Sequence, residues 1–332
     1  MNPILVEITR GGITESFHRG VICVVDKEGE IVFSVGDVKQ ICYPRSALKF
    51  IQHIPLLTSG IFDHYHFTLK DLALMCGSHN GEKKHVDAVN LILQKIGLEP
   101  SALKCGAQNP TRKSDWIDLI KKGEFAQPLH NNCSGKHAGF LAYNTYHNCN
   151  IDSYLSFDFE LQVRIKETVS RFAELPAHEL NEGIDGCSAP TYAMPVYNQA
   201  IMYKNLIAPN SEINTEERTA AQRVIAAVSE FPEMVAGTKR YCTDLMNVTK
   251  GRIIGKTGAD GVYCLAIPEK QWGISIKVDD GKMGPQYQIA QELLRKLELI
   301  TEEEAQLLNP YREFDIPNFA GNMASHSRVV NL

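Results

Sequence analysis

The chain has 332 residues, 44% of them hydrophobic and 22% charged, and a formal net charge of −5. That is enough apolar material for one large domain or two lobes, and the lack of any basic run argues against nucleic acid or an anionic membrane surface as partner. The opening MNPILVEITRGG carries neither a basic nor an apolar leader region. No window approaches about 18 consecutive apolar residues. Nine scattered cysteines, an odd number, fit a reducing compartment better than a disulfide framework. These features predict a cytoplasmic protein acting on a small molecule.

The first 45 residues read as strands, ILVEI, ESFHRGVICVVD and EIVFSVGD, with the glycine-containing turn KEGE joining the last two. Helical patterning follows to about Glu230. Thr68 with Asp71 forms a capping signature, and Val86, Val89, Ile92, Leu93 and Ile96 fall on one face of KKHVDAVNLILQKIGL. SDWIDLIKKG, DFELQVRIKETVSRFAEL, APTYAMPVYNQAIM and TEERTAAQRVIAAVSEF continue the helical signal. Strands return in GRIIGKTG, GVYCLAIPE and WGISIKVDD, and a helix beginning near Pro285 closes the chain.

The economical fold is α+β: an antiparallel sheet built from both termini, flanked by helices, with an inserted helical lobe and a cleft beside it. It forms a single catalytic unit, with lobe 1 at 1–45 and 250–332 and lobe 2 at 46–249.

Ser-x-x-Lys, the pattern of a lysine-activated serine, occurs twice, as Ser46–Lys49 in CYPRSALKFIQ and as Ser101–Lys104 in LEPSALKCGAQ. Chance supplies about one such match in a chain of this composition, so context decides. The first copy follows Pro44 where strands hand over to helix, which puts Ser46 at a helix start with Lys49 one turn on. The second runs into Gly106 and leaves hardly any helix to form.

Ser78-His79-Asn80 in CGSHNGE and Lys256-Thr257-Gly258 in IIGKTGADG then complete, in order, the three-element layout of serine β-lactamases and penicillin-binding proteins. Taken singly, Ser78 reads as a helix cap and Lys256 as a solvated edge-strand lysine. In the layout, Ser46 is the nucleophile, Lys49 its base, and Ser78 with Lys256 a second pair. Arg45, beside the nucleophile, is placed to orient substrate.

Two further stretches, NNCSGKHAGF (131–140) and GIDGCSAPTYAMP (183–195), join the three elements. Together they resemble the rhizobial-type, or class 3, L-asparaginases from about residue 3 to 320. The resemblance implies a serine β-lactamase-like fold, a homodimer, and hydrolysis of L-asparagine to L-aspartate and ammonia through a seryl acyl-enzyme. It implies zinc held by Cys133, Lys136 and Cys187, Asp185 accepting the substrate's α-ammonium, and His137 near the metal. Without it, Cys133 and Cys187 read as core thiols, Asp185 as a turn residue and His137 as a surface imidazole. Phe50 and His79 have no clear duty, and Cys242 lies near the site without a role. Alternatives are a glutaminase or β-lactam hydrolase on the same scaffold, and, from another class, a catalytically silent zinc-binding metabolite sensor.

Overall fold

A computed structural model describes residues 1–332. Strands β1 (Ile4–Arg10), β2 (Ile13–Val25), β3 (Ile31–Val35) and β4 (Ile41–Cys42) come first. Gly29, at φ 86°, turns the chain between β2 and β3, a conformation that costs glycine nothing. A 3-10 turn, Arg45–Leu48, leads into α1 (Lys49–Gln52), α2 (Ile54–Leu57) and α3 (Ile61–His64). The helix that starts at Lys49 is interrupted at His53. Pro55, in the first turn of α2, has no N–H to continue the ladder.

The helical stretch continues with α4 (Leu69–Met75), α5 (Lys83–Lys95), α6 (Lys113–Lys121), α7 (Ser134–Tyr146) and α8 (Glu160–Ala173). Thr68 and Asp71 form the expected capping box. Next come β5 (Asn181–Ile184), β6 (Pro190–Pro195), α9 (Val196–Asn205), α10 (Thr215–Glu230), α11 (Pro232–Val235) and α12 (Tyr241–Val248). APTYAMP is therefore strand rather than helix. Its residues 190–194 are all buried, and a short continuous apolar run has no period by which to tell the two apart.

The chain ends with β7 (Ile254–Gly258), β8 (Val262–Ile267), β9 (Trp272–Val278), α13 (Pro285–Lys296), α14 (Glu302–Leu307), β10 (Phe314–Pro317) and β11 (Met323–Val329). The closing element is thus a strand pair, not the helix at Pro285. The inward positions of β11 are Ser325 and Ser327, so no apolar alternation announces it.

The chain forms two compact units, Met1–Ala47 with Met194–Ala208 and Asp244–Leu332, and Leu48–Ala193 with Pro209–Thr243. In the first, one antiparallel sheet runs in the order β10-β11-β1-β2-β9-β8-β7, with β3 also paired to β2. Both termini build it, as expected. Helix α9, assigned from sequence to the helical lobe, belongs instead to this unit. Its Val196, Ala200 and Ile201 pack on Val21, Cys23, Val25 and Cys42. Strand side chains alternate, so Ile22 and Val24 face the other way, where α13 packs against β1, β8, β9 and β11. The second unit is helical, with α4 packed against α5, α7, α10 and α11. No helix is long and apolar enough to cross a membrane.

Candidate active site

In the sheet unit the site elements meet around the turn that carries Ser46. Ser46 is half-buried in the 3-10 turn, directly after Arg45, whose φ of 52° is left-handed. For a residue with a side chain such backbone stores about 1–3 kcal/mol and persists only when its surroundings enforce it. Arg45 forms an ion pair with Asp260, Tyr203 Oη donates to Ala47 O (2.9 Å), and Gln199 Nε2 donates to Cys42 O (3.0 Å). Helix α9 thereby pins the backbone on both sides of the turn.

Strand β7 ends the sheet order, and its Gly258 lies against Pro44 O so closely that a Cβ there would collide with that oxygen. Lys-Thr-Gly is therefore beside the start of the Ser46 turn. Lys256 is wholly buried and donates to Thr257 O (2.9 Å), while Thr257 Oγ1 meets Tyr287 Oη at 3.0 Å. The solvated edge-strand reading of Lys256 is overturned, because this edge is covered.

In the helical unit Lys49 is likewise 0% exposed. Its Nζ donates to Ser78 Oγ (3.0 Å) and to Gly77 O, which joins the Ser-x-x-Lys lysine to the Ser-x-Asn element. Ser78 is not a helix cap, since Glu82 takes the N-cap position of α5. The Ser78 N–H donates to Val235 O (2.7 Å). Asn80 is held on three sides, donating to Glu82 Oε1 (2.9 Å) and Thr238 O (3.0 Å) and accepting from Arg240 (2.9 Å). Glu82 also accepts from the Thr238 N–H (2.7 Å) and Oγ1 (2.9 Å). Burial opposes ionisation of Glu82, but these bonds from Asn80 and Thr238 prevail and hold its pKa near 2. Sequence reasoning missed Thr238 and Arg240. Their place in TKRYC, just before Cys242, was the available signal.

The three residues implied as metal ligands come together in the same unit. Cys133 is the N-cap of α7, Lys136 lies in its first turn, and Cys187 sits in the loop between β5 and β6. That loop is closed by Asp185 N–H to Ala189 O (2.9 Å) and Ser188 N–H to Asp185 O (2.8 Å). Lys136 Nζ stands 3.0 Å from Cys187 Sγ, and all three side chains are at most 4% exposed. The thiol pair shares a hydrogen bond that lowers the pKa of Cys187 and raises that of Cys133. Burial would lower the pKa of Lys136, but Cys187, Cys133 and Asp185 outweigh it and raise it. An ammonium beside a thiolate is the result.

No cluster of three His, Cys, Asp or Glu side chains suited to a metal ion is present, so an ion here would need the lysine amine as third donor. His137, read alone as a surface imidazole, is in fact fully buried, with Nδ1 2.8 Å from Tyr154 Oη; burial lowers its pKa to about 3. Asp185 is half-exposed beside Cys187, its Oδ2 3.9 Å from Sγ. Cys242 is buried and acquires no role. All nine cysteines are free.

The second Ser-x-x-Lys shares none of this. Ser101 is exposed in a 3-10 turn, and Lys104 pairs with Asp152 at 2.7 Å on the surface.

Among solved structures the chain resembles Mglu in its tris and glutamate form at 13% identity and a TM-score of 0.48. That match covers 90% of this chain, which spans only 64% of Mglu's length. A β-lactamase from Mycobacterium bovis (11% identity, TM-score 0.42, 83% of this chain and 94% of that one) is similar in the same way. So is a Bacillus glutaminase (12%, TM-score 0.40, 84% and 91%). No curated protein sequence matches significantly. The family described as L-asparaginase II matches residues 6–329, nearly the whole chain. The chain belongs to the L-asparaginase II family of asparaginase-type amidohydrolases.

Proposed function

We propose that this protein hydrolyses L-asparagine to L-aspartate and ammonia with Ser46 as nucleophile. The observation that carries the reading is Lys49, wholly buried with Nζ 3.0 Å from Ser78 Oγ, which gives the first Ser-x-x-Lys the partner that amide chemistry needs. An amide resists neutral serine, so the hydroxyl must lose its proton as it attacks. Ser46 Oγ bonds to the side-chain carbonyl carbon while its proton passes to the Lys49 amine acting as base. The Ser46 N–H, with an N–H of the strand end at Gly258, receives the oxyanion. The C–N bond then breaks, and the proton returns through Ser78 Oγ to the leaving nitrogen as ammonia departs. Water, deprotonated by the same lysine, cleaves the β-aspartyl ester and frees Ser46. Asp185 accepts the substrate's α-ammonium, and Arg45, fixed by Asp260, orients the site.

Zinc belongs to the same proposal. Two cysteines, Cys187 with thiolate character, and a lysine within 3.0 Å of that sulfur form a soft donor set suited to that ion. Cys133, Lys136 and Cys187 would hold it, with Lys136 giving up its proton. Bound there, zinc supplies Lewis-acid anchoring of substrate near Asp185 and His137. Assembly as a homodimer is proposed with it, to be read by sedimentation.

The test is ammonia release from asparagine, glutamine and, by colour, opening of a chromogenic β-lactam, with and without chelator, beside elemental analysis. The proposal expects turnover of asparagine above the others, about one zinc per chain, and a raised KM after chelation. Turnover of glutamine or the β-lactam alone moves the substrate assignment. No turnover of any of them leaves a silent binding protein.

A further inference from the structure

His79, the middle residue of Ser78-His79-Asn80, is fully buried, and both of its ring nitrogens are engaged by protein. The Gly81 N–H donates to Nδ1 (3.1 Å), so the proton of the neutral ring is on Nε2. Nε2–H donates to Ser134 Oγ (3.0 Å), whose own proton goes to Leu129 O (2.9 Å). The main-chain N–H of His79 donates to Asn132 O (3.2 Å). The two bonds from His79 thus fall on residues 132 and 134, on either side of Cys133. The ring stacks on His85 at 4.8 Å and 13°. His85 is itself fixed by the Glu82 N–H donating to Nδ1 (3.1 Å) and by Nε2–H donating to Glu233 O (2.8 Å). Neither nitrogen of His79 is left over for proton transfer to a ligand.

We infer that His79 is a positioning residue that locks the Ser78 loop to the start of α7, holding Ser78 and Cys133 in one rigid frame. The inference rests on the reading of Ser78 as proton relay and of Cys133, Lys136 and Cys187 as a metal-binding set. Ser78, one residue before His79, receives Lys49; Cys133 caps the helix that carries Lys136. A loop free to shift against α7 by a fraction of an ångström would misalign the relay with the anchored substrate, and such misplacement is costly in rate. Histidine suits the task because it accepts on one side and donates on the other while filling the space against His85. Glutamine reproduces the donor alone.

The experiment compares His79→Ala, His79→Gln and Ser134→Ala by kcat and KM for asparagine and by cadmium titration, following thiolate-to-cadmium absorption. His79→Ala should lower kcat by about 10- to 100-fold and weaken cadmium binding by about tenfold or more. His79→Gln should restore most of both. Ser134→Ala should move both the same way, and adding it to His79→Ala should cost little further, since the His79–Ser134 bond is lost in either case. Should His79→Ala not fold, the Gln and Ser134 variants carry the comparison. Unchanged kcat and cadmium affinity in His79→Ala and Ser134→Ala overturn the inference, as does a Gln variant no better than Ala. Wild-type protein inactive on asparagine overturns the functional reading instead, and the cadmium arm then decides His79. Wild-type protein without thiolate-bound cadmium overturns the metal reading, and kcat decides.

Discussion

Ser46–Lys49 and Ser101–Lys104 are the same tetrapeptide in two environments that differ at both the lysine and the serine. Lys49 is buried, and its Nζ donates to Ser78 Oγ and Gly77 O. Lys104 is 40% exposed in its side chain and pairs with Asp152. Lys49 thus faces a hydroxyl and a carbonyl inside the protein, whereas Lys104 faces a carboxylate at its surface. The serines differ in parallel. Ser46 follows a left-handed Arg45 held by Asp260, whereas Ser101 sits in an exposed turn after Pro100. The same four residues therefore stand beside a left-handed backbone with a buried lysine in one copy and in an exposed turn with a surface lysine in the other.

The comparison breaks most sharply at the serines. Ser46→Ala should lower kcat for asparagine by about a thousandfold or more, while Ser101→Ala stays within about threefold. Equal effects at the two positions would dissolve the distinction. The lysines come next. Lys49→Met should reduce kcat by about a hundredfold or more, whereas Lys104→Met, losing one exposed ion pair, should change unfolding free energy by no more than about 1 kcal/mol and leave kcat intact. Near-wild-type turnover in Lys49→Met removes it as base.

The smallest expected effect is on acid stability. His79, kept neutral by burial with His85, Lys49, Arg240 and His130 nearby, has a folded pKa well below its usual 6.5. The unfolded chain binds that proton first, so the contribution is complete above pH 6.5 and fades as pH falls below it. Glu82, near 2 when folded against 4.5 unfolded, adds a contribution that is lost between those values. The Tm should fall continuously from neutral to acid pH. His79→Gln should flatten the upper part of that slope and Glu82→Gln the lower. A slope unchanged in both variants would place the acid sensitivity elsewhere.

Much of the fold was legible in the sequence: the strands at each end depend on local pattern, and they lie where the sequence places them. The Cys133, Lys136 and Cys187 set was not legible in that way, since only the family resemblance implied it. What escaped depends on distant parts of the chain. Lys256 looked solvated because covering of the β7 edge by Pro44 is a tertiary event. His137 looked exposed because an imidazole is polar, yet α7 is buried nearly all round. Strand β11 was invisible because serines occupy its inward positions, one of them bonded to Gln288 at 3.1 Å. APTYAMP read as helix because burial of residues 190–194 on both faces erased the period.

The most direct measurement of the central claim is peptide mass analysis of enzyme quenched with acid during turnover of asparagine. The account predicts that the peptide containing Ser46 gains the mass of one aspartyl group, that the peptide containing Ser101 does not, and that the adduct is absent from Ser46→Ala. An aspartyl adduct on another residue, or active enzyme that never carries one while a chelator abolishes its kcat, would contradict a serine nucleophile at position 46.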